Sequence, residues 1–136
     1  MLNIFKQSRA GLSISLVVIL LLFAGVSFAV ESGKDAKGDI YTQAEQRFRA
    51  GNFSEAQTLY QEFVTKFPGV KRMDQVFYRL GQIDIKTQSY KTALRYFYFV
   101  LTKYPNSFLA QQARFDMAEC HFKLGNFSEA EELFQR

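Results

Sequence analysis

One cysteine and one histidine are all that this chain contains of the residues that most often hold metals or form covalent intermediates. A lone cysteine cannot close an internal disulfide, so stability has to come from packing, and Cys120 reads as a small buried apolar residue rather than a redox centre. His121 lies beside it, but neighbours on a helix point about 100° apart and cannot readily ligate one ion. No second histidine exists to complete such a site. Glycine is present, yet no glycine loop runs into the lysine and hydroxyl residue that cradle a phosphate, and the acidic residues are spread along the chain as solvated faces are. These absences leave no expected catalytic residue, cofactor or metal, and the chain reads as non-enzymatic.

Long apolar runs are confined to one place. Lys6 and Arg9 precede a nearly unbroken apolar stretch from Leu12 to Val26, followed by the small residues Ser27 and Ala29. This is the pattern of a signal peptide over residues 1–29, cleaved before Val30. The rival is an uncleaved anchor, because Ala10 to Val30 reaches the roughly 20 residues that span a bilayer. The short apolar centre favours cleavage. Cys120 is too far along the chain to accept a lipid. Charge of one sign is also scarce: 17 basic against 13 acidic residues give +4, and loss of Lys6 and Arg9 with the leader leaves +2. Scattered basic residues at so low a net charge argue against nucleic acid as a partner.

What is present is repetition. "GNFSEA" at Gly51 to Ala56 returns at Gly125 to Ala130, and "QSYKTA" at Gln88 to Ala93 lies midway. A shift of 37 residues aligns Phe53, Tyr90 and Phe127, then Ala56, Ala93 and Ala130, then Tyr60, Phe97 and Phe134. A fixed period of this length marks a stacked-repeat architecture. Each unit reads as two helices. The second starts at Phe53, Tyr90 or Phe127, with Asn52, Ser89 or Asn126 as the expected side-chain cap and Glu55 or Glu129 reaching back. Apolar residues then recur at helical spacing, and Pro68 and Pro105 end the first two of these helices. The alanines let paired helices approach closely, with Gly81 and Ala118 as the matching small surface.

Leu80, Gly81, Tyr90, Ala93, Phe97 and Pro105 match the spacing of the tetratricopeptide repeat, and the pattern resembles the longer-period variant of bacterial envelope proteins. The expected fold is all-α: a helix-turn-helix solenoid of about two and a half units at residues 40–70, 71–107 and 108–136, after a polar linker at 30–39. The last unit stops midway along its second helix, so further repeats or another domain are expected beyond it. The chain departs from the family three residues after the glycine position, where it has Arg47, Asp84 and His121. In-register stacking would make these a polar ladder.

The resemblance implies a groove lined by the first helices. It places Tyr41, Tyr78 and Phe115 in one row, Glu45, Gln82 and Glu119 in a second, Phe48, Ile85 and Phe122 in a third, and Arg49, Lys86 and Lys123 in a fourth. Aromatic rows also suit inter-helix packing, so the polar rows are the better candidates for partner contact. On the second helix of the middle unit, Tyr98 and Phe99 stand where the other units have Gln61 and Glu62 or Gln135 and Arg136. They form a candidate convex patch for self-association or for another domain.

The expected function is a non-catalytic protein-interaction scaffold of the bacterial periplasm with a protein or peptide partner, in outer-membrane or cell-wall maintenance. It would touch the membrane only through an uncleaved leader. The alternative is the regulatory front domain of a larger periplasmic receptor or enzyme. Mass spectrometry of the protein expressed in a bacterium should find a mature start near Val30; an intact Met1 in the membrane fraction would establish the anchor instead.

Overall fold

The computed structural model describes residues 36–135, so the expected leader, and the linker up to residue 35, lie outside the described residues. Two compact units divide at Gly38, and the features below belong to the second, Asp39–Arg136. Six helices and no strand are found among the described residues. They are α1 over residues 36–49, α2 Phe53–Lys66, α3 Met73–Lys86, α4 Tyr90–Lys103, α5 Leu109–Lys123 and α6 Phe127–Gln135. Residues 36–39 are therefore already helical rather than linker. The Asp39 carboxylate accepts a hydrogen bond from Gln43 one turn on, at 3.0 Å. No helix among the described residues is long and apolar enough to cross a membrane.

The core is periodic in the same way as the sequence. Its first part joins Ala44, Ala56, Tyr60 and Phe63 of α1 and α2 to Met73, Val76, Leu80 and Ile83 of α3. Its second joins Ala93, Phe97 and Val100 of α4 to Leu109, Ala113, Met117 and Cys120 of α5. Adding 37 to Ala56, Tyr60, Phe63, Val76, Leu80 and Ile83 gives residues of the second set. Each helix pair thus closes its apolar face only when the next unit's first helix lies on it. Cys120 falls where Ile83 falls in the unit before. It is fully buried, and burial pushes its thiol up to about 12, so the sulfur serves as packing.

Gly81 meets its partner more tightly than any other glycine among the described residues. A Cβ there would lie 2.6 Å from the ring of Phe97, which is itself wholly buried. The small residue makes room for an aromatic ring as well as for the neighbouring helix. At the far ends of α2 and α4, Phe67 and Tyr104 precede the prolines and leave the helical region, with φ/ψ of −130/57° and −129/52°. That is the restriction proline imposes on its predecessor.

The turns between paired helices correct one expectation. Neither Asn52 nor Ser89 makes a side-chain cap bond. The Asn126 amide faces His121 Nδ1 at 3.3 Å, and Glu55 pairs with Arg47 at 3.1 Å instead of reaching back. The backbone closes the turns. Asn52, Ser89 and Asn126 donate N–H to the carbonyls of Arg47, Asp84 and His121, and Gly51, Gln88 and Gly125 donate to Phe48, Ile85 and Phe122. This double closure needs a left-handed residue at its centre. Gly51 and Gly125 have φ of 78° and 80°, whereas the middle unit has Gln88 at 61°.

The polar ladder also fails to form. Arg47 is engaged with Glu55 at the surface and His121 with Asn126. Asp84 alone is buried, at 2 % exposure. Its Oδ1 accepts from Gln57 Nε2 at 3.0 Å, while Oδ2 has no hydrogen-bond partner. The α2 residues Glu55 and Gln57 take up Arg47 and Asp84, and the turn residue Asn126 takes up His121, so positions equivalent in sequence meet different partners. Desolvation raises the Asp84 pKa more than the Gln57 bond lowers it.

Two outcomes follow from this packing. Because a left-handed L-residue costs about 1–2 kcal/mol and glycine returns part of that through the unfolded chain, Gln88→Gly should stabilise the fold by about 0.5–1 kcal/mol in urea denaturation. A carboxyl whose pKa is raised on folding loses stability as pH climbs from its unfolded value through its folded one. Asp84→Asn should therefore exceed the wild type at pH 7 by about 1 kcal/mol, with the gap narrowing as pH falls towards 4. A gap independent of pH would show that Asp84 is not strained as a charge.

Candidate functional site

The first helices wall a cleft of about 490 Å³ whose lining includes Tyr41, Gln75, Tyr78, Gln82, Leu109 and Gln112. It brings together three residues that the family resemblance placed in the groove: Tyr41, Tyr78 and Gln82. Tyr41 donates its hydroxyl to Gln75 Oε1 at 3.1 Å, which ties α1 to α3. Tyr78 is nearly buried, at 8 % exposure, with its ring 5.6 Å from that of Phe97. It is therefore a floor, not a protruding anchor. Gln82 accepts from Arg79 Nη1 at 2.8 Å. Gln75, Arg79, Phe108 and Gln112 complete the lining and were not picked out from sequence. Gln75 and Gln112 are themselves one 37-residue period apart, a signal that was available in the sequence.

Glu45 occupies a different place from the one expected of a partner contact. Arg79 donates from Nε to its Oε1 at 2.9 Å and from Nη2 to its Oε2 at 3.3 Å, and Tyr60 donates to Oε1 at 2.6 Å. The same guanidinium lies 4.7 Å from the centre of the Phe48 ring. Burial of Glu45 works to raise its pKa, but the bonds from Tyr60 and Arg79 outweigh it and hold the carboxyl below its ordinary value. Burial likewise works to lower the Arg79 pKa, and Glu45 overrides that. Tyr60 is pushed far up, first by burial and then by its bond to Glu45, and stays a donor. Glu45 is thus a joint between α1 and α3. Arg49 reaches its carboxylate only at 4.0 Å.

The junction between the second and third units is built differently. There Asp116, one period after Arg79, lies against the Tyr78 hydroxyl. Burial raises the Asp116 pKa, and Glu119 adds to this, against the lowering effect of Tyr78. Its Oδ2 is buried without a hydrogen-bond partner. The remaining candidates do not converge on the cleft. Lys86 and Lys123 are exposed in the last turns of α3 and α5. Phe115 is exposed, with its ring 5.2 Å from Phe134, and Glu119 is half-buried.

Of the candidate patch on α4, Tyr98 is exposed and Phe99 is half-buried. Its ring sits 4.4 Å from Phe77 of α3 and 6.1 Å from Tyr104. A second cleft of about 520 Å³ opens there, with Phe77, Arg95, Tyr96, Tyr98 and Phe99 among its lining. Phe99 is therefore a wall of that cleft and part of the packing between α3 and α4. Among the described residues no group of three acidic, cysteine or histidine side chains is placed to hold a metal.

Comparison with known proteins adds family and fold. Two models of the tetratricopeptide repeat match the sequence, one over residues 40–69 and the other over 84–136. PcrH from Pseudomonas aeruginosa is similar in structure, with a TM-score of 0.65 at 24% identity over 74% of this chain and 72% of PcrH. PcrH in complex with the chaperone binding region of PopB gives 0.64 at 24% identity over 74% and 77%. The tetratricopeptide repeat domain of Arabidopsis FLU gives 0.66 at 15% identity, over 76% and 92%. No curated protein matches the sequence. The two repeat models together span more than half of the chain, and both agree with the paired helices and the periodic core: the chain belongs to the tetratricopeptide repeat family.

Proposed function

We propose that this chain is a non-catalytic scaffold that binds a protein or peptide partner along its first-helix cleft, in the periplasm of a bacterium. The observation that carries the reading is the cleft itself. Tyr41, Tyr78, Gln75, Gln82 and Gln112 from successive first helices line one opening of about 490 Å³, so apolar ring faces alternate with amides that both donate and accept. Such a surface suits an extended peptide, whose backbone carries both kinds of group and whose side chains need apolar seats. The similar structure of PcrH with a segment of PopB is one case in which this fold holds a peptide-length partner. The apolar leader of residues 1–29 supports export, and a role in outer-membrane or cell-wall maintenance extends that reading.

The expected chemistry of binding is additive and polar at the rim. Gln82→Ala together with Gln112→Ala removes two amides from the cleft without opening the core, since Gln112 is exposed and Gln82 half-buried. Partners that co-purify with the wild-type protein from envelope extract should be reduced about tenfold by this pair, in line with loss of one or two well-placed contacts, and should be retained by Tyr98→Gln. Retention by the cleft variant and loss by Tyr98→Gln would move the working surface to the cleft at Tyr98.

A further inference from the structure

The second helix of the middle unit differs in charge from that of the first. A shift of 37 residues sets Thr92, Arg95, Phe99 and Lys103 where α2 has Glu55, Thr58, Glu62 and Lys66. Both carboxylates are gone, and a cation is added. In α2, Lys66 Nζ pairs with Glu62 Oε1 one turn back at 2.7 Å, whereas Lys103 has the Phe99 ring at that place. Arg95 and Lys103 are exposed, and among the described residues no hydrogen bond or ion pair engages either. Arg95, Phe99 and Lys103 stand at i, i+4 and i+8, so they form one row along α4 with the ring between the two cations. This row belongs to the cleft of about 520 Å³ whose rings are Phe77, Tyr96, Tyr98 and Phe99 and whose lining includes no carboxylate. Every lining residue lies on α3 or α4, in the unit that has a repeat on either side. The cleft does not owe its opening to an uncovered end.

We infer that this cleft is a docking site for an acidic segment of a partner protein, which seats one large apolar side chain against Phe77 and Phe99 and sets one carboxylate on Arg95 and another on Lys103. Eight helical residues span about 12 Å, and an extended chain covers that distance in about four residues. The pattern required is two acidic residues four apart with the apolar residue midway. Charge-assisted bonds then form at both ends, and the ring walls take the centre. Residues 30–35 of this chain are a poor occupant, because Glu31 and Asp35 stand four apart but enclose Ser32, Gly33 and Lys34, a cation and no apolar side chain. A second folded copy offers Glu129, Glu131 and Glu132 on α6, but the apolar side chains among them are engaged. Ala130 is buried, Leu133 packs on the core, and the rings of Phe127 and Phe134 lie 5.4 and 5.2 Å from Phe122 and Phe115. A bilayer matches poorly too, since of the four cleft rings only Tyr98 is exposed. Tyr98 is a rim contact that this recognition does not need, so Tyr98→Gln leaves it in place. The site is distinct from the first-helix cleft and does not rest on the function proposed for it.

The test uses the full chain and a fluorescein-labelled peptide with the core Glu-Ser-Phe-Ser-Glu between glycine and serine flanks, together with a second peptide in which glutamine replaces both glutamates. Anisotropy should show saturable binding of the acidic peptide, weakened about tenfold by the glutamine peptide or by the protein variant Arg95→Thr with Lys103→Gln, with little further loss when both are changed. Arg95→Thr copies Thr58 of the first unit, and both positions are exposed, so the variant keeps the fold. Absence of saturable binding overturns the inference, as does equal binding of the two peptides or independence of the two changes. Three further results overturn the assignment to a partner protein. They are sedimentation with phosphatidylglycerol vesicles that the variant abolishes while the peptides show no charge dependence, a dimer of the unliganded chain that dissociates in the variant, and peptide binding that appears only after proteolysis has removed another segment of the same protein.

Discussion

A pair of helices joined by a short turn cannot bury its own apolar face, and that shortage organises this molecule. The rings of Tyr60 and Phe97 sit on second helices, yet they are fully buried only because α3 and α5 are laid over them. Each unit supplies half of a core and receives the other half from its neighbour. Burying a large aromatic side chain contributes on the order of 2–3 kcal/mol, which is why the period can drift at polar positions while the line of Tyr60, Phe97 and Phe134 stays aromatic. The small residues Ala44, Gly81 and Ala118 follow from the same requirement, since a ring of that size reaches the facing helix only where the side chain opposite is nearly absent.

Between units, electrostatics supplies the distinctions that apolar packing cannot. One junction is closed by Glu45, Tyr60 and Arg79 over the Phe48 ring, a compact network in which every group supports the ionised carboxylate. The next is closed by Tyr78 against Asp116, with one buried oxygen left unpartnered. Apolar faces of similar shape would accept either neighbour. The Glu45 carboxylate seats an arginine and would repel the aspartate that α5 carries at the equivalent place, so the order of units is written in charges as well as in shape. The buried Asp84 carries a cost of the same kind, because its second carboxylate oxygen has lost water without gaining a donor.

The two clefts are lined by different residues and differ in character. The first-helix cleft is rich in amides and held by hydrogen bonds between helices, as with Tyr41 and Gln75. The other is mostly ring surface, with Phe77 and Phe99 packed ring against ring at a tilt of 54° and Tyr98 exposed. A scaffold of stacked pairs offers such surfaces without disturbing its core, since exposed positions on each helix are independent of the apolar stripe beneath.

Periodicity is a local property, and it was legible. The spacing of Phe53, Tyr90 and Phe127, the prolines at 68 and 105, and the line of alanines were enough to place six helices, their pairing and the all-α fold, because a helix repeats every 3.6 residues whatever lies next to it. The rows of Tyr41, Tyr78 and Gln82 came from the resemblance to the repeat family, not from periodicity. What each side chain touches is not local. Asn52 and Ser89 were read as caps, but glycine or a left-handed glutamine allowed the backbone to close the turns first. Glu45 was read as a surface contact, and it became a joint because α3 delivers Arg79 from 34 residues away. Arg47, Asp84 and His121 are equivalent in sequence but not in surroundings. Phe99 looked free until α3 set Phe77 against it. Sequence determined which elements form and in what order; only the stacking of one pair on the next decided which charges are buried, which rings are exposed and where a cleft opens, because those depend on partners that no local pattern names.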